Sequence, residues 1–599
     1  MASLARPTMS MALVPVSGER PAYALRVLLV WLVLAVILIA VNWSSIAKVR
    51  FGDPDDALRL LQVRDLLAGQ SWFDVHQYRV MAPQGVPMHW SRLVDIPLAG
   101  MILILRPLLG TANAEFVTVV MVPLLTLLCA LMLVGRLAAK LFDSETVGVA
   151  CLVTGIASPL LFQMTPLRID HHGWQIVLAL AALNGLCAQD PRKGGLAIGA
   201  SLAALLAISI EGLPLTAVFL GACVLRDLRD PQRRFAWFTA AATPLALAGA
   251  AIYLGTRGTY DLATHCDAIS PVHLGIFAWI AAGAWALRLA GPRPIAVQLG
   301  MLALIGAGAA AIMLGGAPQC KGGAFVALDP LVRRMWYAGV SEGLPFWRSP
   351  IAYAATTVCV PMIGLLAALD HARRAPTRER MWLWLDYAVV LAGSWAIGLL
   401  VARATASACG FAALPTAALV LRWIRGLRTE IRPARRVGGY LAIVLALMPS
   451  LPVVAWGRIH PASSNRIGVA MKFSQCRYDI AANALNRLPA TDIFAPLDIG
   501  PDLLVRTPHR VIATGHHRAS AGMHDVIAAF IGTPQEALPI IRAHHATLIA
   551  LCPDIAEPGI YARRAPQGLM AQLMEGKAPA WAKQVELAPG SHMKFWRVQ

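Results

Sequence analysis

Charged side chains are scarce in this sequence. They make up 14% of its 599 residues, against 57% hydrophobic, and the mean hydropathy is +0.60. A soluble chain of this length would need far more polar surface to cover its domains. Other absences narrow the reading further. No RNA- or DNA-binding motif accompanies the net charge of +19, so nucleic acid is not an expected partner. No convincing small-residue cleavage site follows the first apolar run, Val27 to Trp43, which therefore reads as an uncleaved span. No lipidation motif is evident at either end. In the C-terminal part there is no GxGxxG or P-loop pattern.

What is present is a series of runs near the roughly 20 apolar residues that cross a hydrocarbon core. The chain reads as a polytopic helical membrane protein with about 13 spans. They fall near 27–46, 115–138, 145–163, 173–189, 194–209, 213–226, 235–254, 274–290, 296–315, 350–369, 382–402, 406–421 and 437–456. Residues 96–110 look like a short or surface-lying helix. Residues 1–456 form the expected membrane domain and 457–599 a small α/β domain.

Basic residues gather in alternate loops. Arg136 and Lys140, Arg192 and Lys193, Arg226 to Arg234, Arg373 to Arg380, and Arg422 to Arg436 mark the cytoplasmic side. The N-terminus is then inside and the C-terminal domain outside. The expected setting is a bacterial inner membrane with that domain in the periplasm. The outer side collects the segment 47–95, the short loop around Asp170, the loop 316–348 and the C-terminal domain. Cys266 and Cys320 fall in outer loops, and Cys476 and Cys552 in the soluble domain. An oxidising exterior permits both bridges; four free thiols are the alternative.

The C-terminal domain carries β-type runs at 492–497, 509–514, 547–552 and 593–598. Helical stretches at about 478–487, 522–531 and 535–544 lie between them. The loop Gly515-His516-His517-Arg518 follows a predicted strand. Adjacent histidines point different ways on a regular element, so substrate contact or plain surface is expected there before metal.

Three acid clusters face outward. Asp53, Asp55 and Asp56 place three carboxylates within four residues, which repel unless a cation or an arginine neutralises them. Oxygen-rich sets of this kind suit Mg²⁺ or Mn²⁺. They also suit the first turn of a helix running on through Leu58, Leu61 and Leu66. Asp170 and His172 would point the same way in an extended loop, as a ligand pair; a polar turn at the membrane edge is the alternative. Glu342 lies in Val340-Ser341-Glu342-Gly343, near Arg333, Arg334 and Arg348, where a salt bridge is the plain reading. Glu211, near the outer end of a span, has no assigned role.

Taken in order, these clusters resemble the catalytic subunit of oligosaccharyltransferase and its bacterial and archaeal single-chain relatives, within the GT-C class of membrane glycosyltransferases. The resemblance covers roughly residues 25–420. Asp53-Pro54 with Arg59 looks like the family's first-loop Asp and Arg. Asp170-His171-His172 looks like its archaeal Asp-His-His motif. Val340-Ser341-Glu342 is similar to its short motif ending in Glu. The resemblance implies a divalent metal held by Asp53, Asp170, His172 and Glu342, gripping the phosphate of a polyprenyl-linked sugar donor. Arg403 is placed like the family's pyrophosphate-binding Arg, with Arg59, Arg333 and Arg334 as further donor contacts. Asp55 or Asp56 is the expected base for the acceptor. Relatives that glycosylate Asn-x-Ser/Thr carry a Trp-Trp-Asp motif that this sequence lacks. The expected acceptor is therefore open among glycan, lipid and protein. A flippase for lipid-linked glycans and a non-catalytic envelope scaffold are the rival readings. The first predicts repeats and midplane charges, which are not evident; the second leaves the acids unexplained.

Overall fold

The computed structural model describes residues 20–460 and 474–599. Most of the chain is helical. Along it run α1 (Arg20–Val41), α2 (Pro54–Leu67), α3 (Arg92–Leu141), α4 (Ser144–Ile156), α5 (His172–Leu186), α6 (Pro191–Ile208), α7 (Leu213–Leu228) and α8 (Ala236–Arg257). There follow α9 (Pro271–Ala290), α10 (Ile295–Gly316), α11 (Ile351–Arg373), α12 (Arg378–Leu400), α13 (Thr405–Arg428), α14 (Pro433–Leu447) and α15 (Ser450–Ile459).

Among the described residues eight helices are long and apolar enough to cross a membrane, and a ninth counts if α14 and α15, bent by 90°, form one span. This is an integral membrane protein. The fuller set of thirteen expected spans is not reached by this measure. Expected spans at 145–163, 173–189, 194–209 and 213–226 correspond to α4, α5, α6 and α7, helices of 13, 15, 18 and 16 residues. Small residues let these helices pack closely. On α6, a Cβ at Gly199 would lie 2.2 Å from the Ala241 carbonyl oxygen of α8, so only glycine permits that approach.

The long helix α3 is two segments joined at Gly110, whose φ of 73° breaks the helical path. A positive φ of this kind is readily adopted by glycine and strains other residues. Residues 92–109 thus form a separate arm, with Ile104 and Leu108 exposed. That matches the distinct helix expected at 96–110.

The C-terminal part holds a five-stranded sheet of order β4-β3-β5-β7-β6. Its strands are β3 (Asp492–Phe494), β4 (Arg510–Val511), β5 (Leu548–Leu551), β6 (Ala582–Val585) and β7 (Lys594–Val598); β1 (His76–Gln77) and β2 (Val86–Pro87) form a small hairpin in the 47–95 segment. β3 pairs in parallel with β4 and β5, while β7 runs antiparallel to β5 and β6. The edge strand β6 was not anticipated; its Lys583 and Gln584 are exposed, so it lacks the apolar run that marks β5.

The sheet is fastened to the 47–95 segment. Val80 bridges Val511 in parallel. The Met81 amide donates to the Val511 carbonyl at 3.1 Å, and the Val511 amide to the Arg79 carbonyl at 3.0 Å. The Arg79 guanidinium reaches the Thr507 carbonyl at 2.7 Å. Both expected disulfides form: Cys266–Cys320, with Cα atoms 5.2 Å apart, and Cys476–Cys552, at 6.1 Å.

Candidate active site

The site begins with a helix cap. Asp53 is extended before α2, and its Oδ1 accepts the Asp55 amide at 3.0 Å. Pro54 then opens the helix with the φ it already prefers. The first turn carries Asp55 and Asp56, where acids complement the dipole. The cap and the acid cluster are therefore one object. Capping engages Asp53 Oδ1, while its Oδ2 meets Arg168 at 2.6 Å.

Arg168 belongs to the short loop before α5, and it binds this loop to α2. It also reaches Asp56 Oδ2 at 3.1 Å. Asp56 Oδ1 accepts the Asp170 amide at 2.9 Å. Burial first, then the charges of Asp53 and Asp170, push the Asp56 carboxyl up to about 7 despite Arg168. Asp56 was expected as a candidate base. Its side chain is fully enclosed and both oxygens are engaged, one by Arg168 and one by the Asp170 amide. Asp55 is the half-buried neighbour. Enclosure raises its carboxyl well above the usual range, and the charges of Asp53, Asp170 and Glu342 add to the rise.

Asp170 is buried, which opposes its ionisation, yet His171, His172 and Arg59 hold its carboxyl well below the usual range. Its Oδ1 is 2.7 Å from His171 Nδ1 and 3.4 Å from Arg59 Nη2. Its Oδ2 is 3.6 Å from His172 Nε2. His172 opens α5 instead of continuing an extended loop, and its Nδ1 lies 2.8 Å from Gln175 Oε1. A ligand atom from each of Asp170, His171 and His172 lies within 4.8 Å of the others. His171 was not assigned a role from sequence; its adjacency to His172 hid it, because a helix start sets neighbouring rings differently from a strand.

Arg59 does not face an open surface. It is fully buried over Trp90, with its carbon at 4.5 Å from the ring, and pairs with Asp95 at 3.1 Å. Asp95 also holds Arg92 at 3.1 Å. Arg59, expected as a donor contact, is enclosed, and its charge is shared by Asp95 and Asp170.

Glu342 sits in a 3-10 turn, Ser341–Gly343, across from another at Ala402–Ala404. The two turns are joined by the Ala402 amide donating to the Leu344 carbonyl at 3.0 Å. Arg403 then bridges Glu342 at 3.0 Å and Glu211 at 2.6 Å. The salt bridge anticipated for Glu342 is thus made, but with Arg403. Arg333 instead donates to the Phe325 and Val326 carbonyls at 2.8 and 3.2 Å. Arg333 and Arg334 are both exposed on a separate short helix, Pro330–Met335. They are not drawn into the acid cluster.

The C-terminal domain contributes one more acid, Asp498, whose backbone amide donates to Glu557 Oε2 at 2.9 Å. Enclosure first and the Asp53 charge second push the Asp498 carboxyl up to about 6. No sequence signal marks Asp498; only the docking of the domain brings it beside α2.

No protein-family model matches the sequence, and comparison with curated proteins finds no match. Solved structures do match in fold. The archaeal oligosaccharyltransferase AglB from Archaeoglobus fulgidus, in complex with an inhibitory peptide and a dolichol-phosphate, superposes with a TM-score of 0.68 at 15% identity. The match covers 97% of this chain and 75% of that one. The same enzyme tethered to an acceptor peptide with the NVT sequon gives 0.64 at 14% identity over 97% and 74%. Its complex with Zn and sulfate gives 0.56 at 13% over 87% and 67%. This chain therefore has the GT-C fold of these oligosaccharyltransferases.

Proposed function

We propose that the protein is a membrane glycosyltransferase that moves a sugar or oligosaccharide from a polyprenyl phosphate or pyrophosphate donor to an acceptor at the face bearing the C-terminal domain. One observation carries this reading: Arg168 and Asp56 tie Asp53 to the loop of Asp170, where Asp170, His171 and His172 each bring a ligand atom within 4.8 Å of the others. The fold shared with oligosaccharyltransferases supports it, as does a neighbour bound to a dolichol-phosphate. That face is proposed to be extracytoplasmic, in a bacterial inner membrane, because the arginine-rich loops lie at the other end.

The residues present fit a divalent cation. Asp170, His171 and His172 each bring a ligand atom within 4.8 Å of the others, and Asp53 and Glu342, whose charges act on the adjoining Asp55, are the further proposed donors. Mg²⁺ and Mn²⁺ remain the proposed ions, while the imidazoles also admit Zn²⁺, the ion in one neighbour. Such a cation, when bound, would supply Lewis-acid stabilisation for the leaving phosphate.

The chain's own groups do the rest. Arg403, whose Nη1 and Nη2 are held by Glu342 and Glu211, is the proposed cation for the donor phosphate, a guanidinium being suited to phosphate oxygens. Arg168 fixes the positions of Asp53 and Asp170 relative to each other. The acceptor's heteroatom bonds to the anomeric carbon as the carbon–oxygen bond to phosphate breaks. The acceptor's proton passes to a carboxylate, for which Asp55 is the accessible candidate. The lipid tail would lie along apolar helix faces. With no Trp-Trp-Asp motif, the acceptor is proposed to be a glycan, a lipid or a protein hydroxyl before an Asn-x-Ser/Thr sequon.

The test uses purified protein in liposomes with polyprenyl-linked donor, followed by mass spectrometry. Asp53→Ala, Asp170→Ala and Glu342→Ala are each expected to reduce transfer at least ~100-fold while the protein still inserts. Normal transfer with any two of these acids removed rejects the assignment. Intact donor moved across the bilayer without consumption would point to a transporter.

A further inference from the structure

His89, His516 and His517 meet where the C-terminal domain rests on the 47–95 segment. The first two are 427 residues apart in sequence, yet His89 Nδ1 lies 2.9 Å from His516 Nε2. One ring nitrogen from each histidine falls within 4.8 Å of the others. The rings of His89 and His517 are 4.8 Å apart, and those of His516 and His517 5.0 Å. Two adjacent histidines do not by themselves make a metal site. Here a third comes from another part of the chain, which removes that objection.

The surroundings are built as for ligands. His517 Nε2 lies 2.6 Å from Asp267 Oδ2, leaving Nδ1 for the centre. A carboxylate on the far nitrogen sets the tautomer and ring orientation of a ligating histidine. Asp267 is itself held by Arg518 at 2.7 Å through both Nε and Nη2, and it follows the disulfide-bonded Cys266. Arg257 donates to the His89 carbonyl at 2.7 Å. Trp90 packs edge-on to His516 at 5.2 Å. His516 is buried, and its Nε2, the nitrogen that faces the centre, meets only His89 Nδ1.

We infer that His89, His516 and His517 form a second cation site, distinct from the acid cluster, for a zinc-type divalent transition ion. It joins the C-terminal domain to the 47–95 segment. An all-imidazole set suits Zn²⁺, Co²⁺ or Ni²⁺ and not Mg²⁺ or Ca²⁺. Three protein ligands leave a fourth tetrahedral position for an outside group. His517, with 13% of its side chain exposed, gives that position access. The inference does not rest on the proposed transferase activity, because metal content is its readout.

The experiment strips the full-length protein in detergent with a chelator and dialyses it against zinc alone. Bound metal is then counted. The wild type should retain one more zinc than His89→Gln or His516→Ala, whereas Asp53→Ala should keep that zinc. Asp267→Asn should weaken zinc binding about 10-fold or more at this site. Cobalt in the wild type should show the visible bands of a tetrahedral nitrogen site, a readout that needs no variant. Equal zinc in the wild type and His89→Gln, or no cobalt bands in the wild type, overturns the inference.

Discussion

Two ionic clusters sit at opposite ends of α7, and they are built on opposite plans. At one end, Asp386 is clamped by Arg226 at 2.6 Å and, more closely still, by Arg229. The guanidiniums stack on Trp237 and Trp382 at 4.3 and 4.5 Å. The neighbouring Asp227 accepts the Trp237 and Phe238 amides at 3.3 and 2.8 Å. Every charge there has a partner. At the other end, beyond Glu211, carboxylates outnumber the arginines among them. Arg168 is shared by Asp53 and Asp56, Arg403 by Glu211 and Glu342, and Asp55 is left facing like charges. A fully paired cluster stabilises a fold; a surplus of one sign is tolerated where something positive is to be bound.

This contrast can be broken by experiment. The largest expected effect on folding is at the paired end. Asp386→Ala leaves two arginines uncompensated in a buried place and should destabilise the protein by about 3–5 kcal/mol, read as loss of folded yield in detergent, with transfer per folded molecule kept. Asp55→Asn should do the reverse. It removes one of several mutually repelling carboxylates, so with chelator present the variant should melt at a higher temperature, by about 1 kcal/mol of stability, while transfer falls at least ~10-fold. A lower melting temperature for Asp55→Asn would remove the contrast.

A further effect, confined to pH dependence, concerns the docked domain. Glu557 accepts the Leu497 and Asp498 amides and so holds the loop that carries Asp498. Burial first, and then Asp498, push its carboxyl from 4.5 up to about 8. The folded state therefore keeps a proton that the unfolded chain releases. Stability is full below the unfolded value of 4.5 and declines as pH rises toward about 8. The decline is on the order of a few kcal/mol at most. Glu557→Gln should flatten the fall in melting temperature between pH 5 and pH 8. An unchanged slope would assign the pH dependence to other groups.

The two ends were unequally legible. Most apolar runs, the distinct arm at 96–110, and four strands and three helices of the C-terminal layer are local patterns that appear where expected; the short helices Gly500–Arg506, Ala556–Arg564 and Leu569–Met574 lie outside those expectations. The edge strand β6 was not marked, since a short polar run carries little periodic signal. In the site, Asp53, Asp170 and Glu342 stood out as acids in an acid-poor chain. Which side chains they pair with did not. Arg59 is 36 residues from Asp95 and 111 from Asp170, and Arg403 is 61 from Glu342 and 192 from Glu211. Such pairings follow from helix packing, which no local spacing encodes.

By itself, then, the amino-acid order determined that this protein lives in a membrane, where its rare acids fall along the chain, and that a small mixed layer ends it. Hydrophobicity and periodicity are properties of neighbouring residues. Only the tertiary structure decided which acids are paired and which are left in excess, that Asp56 and Arg59 are enclosed among paired charges, and that His89 meets His516 and His517. Those outcomes depend on distances, orientations and burial set by remote segments, and charge–charge and metal–ligand interactions follow those and not local sequence.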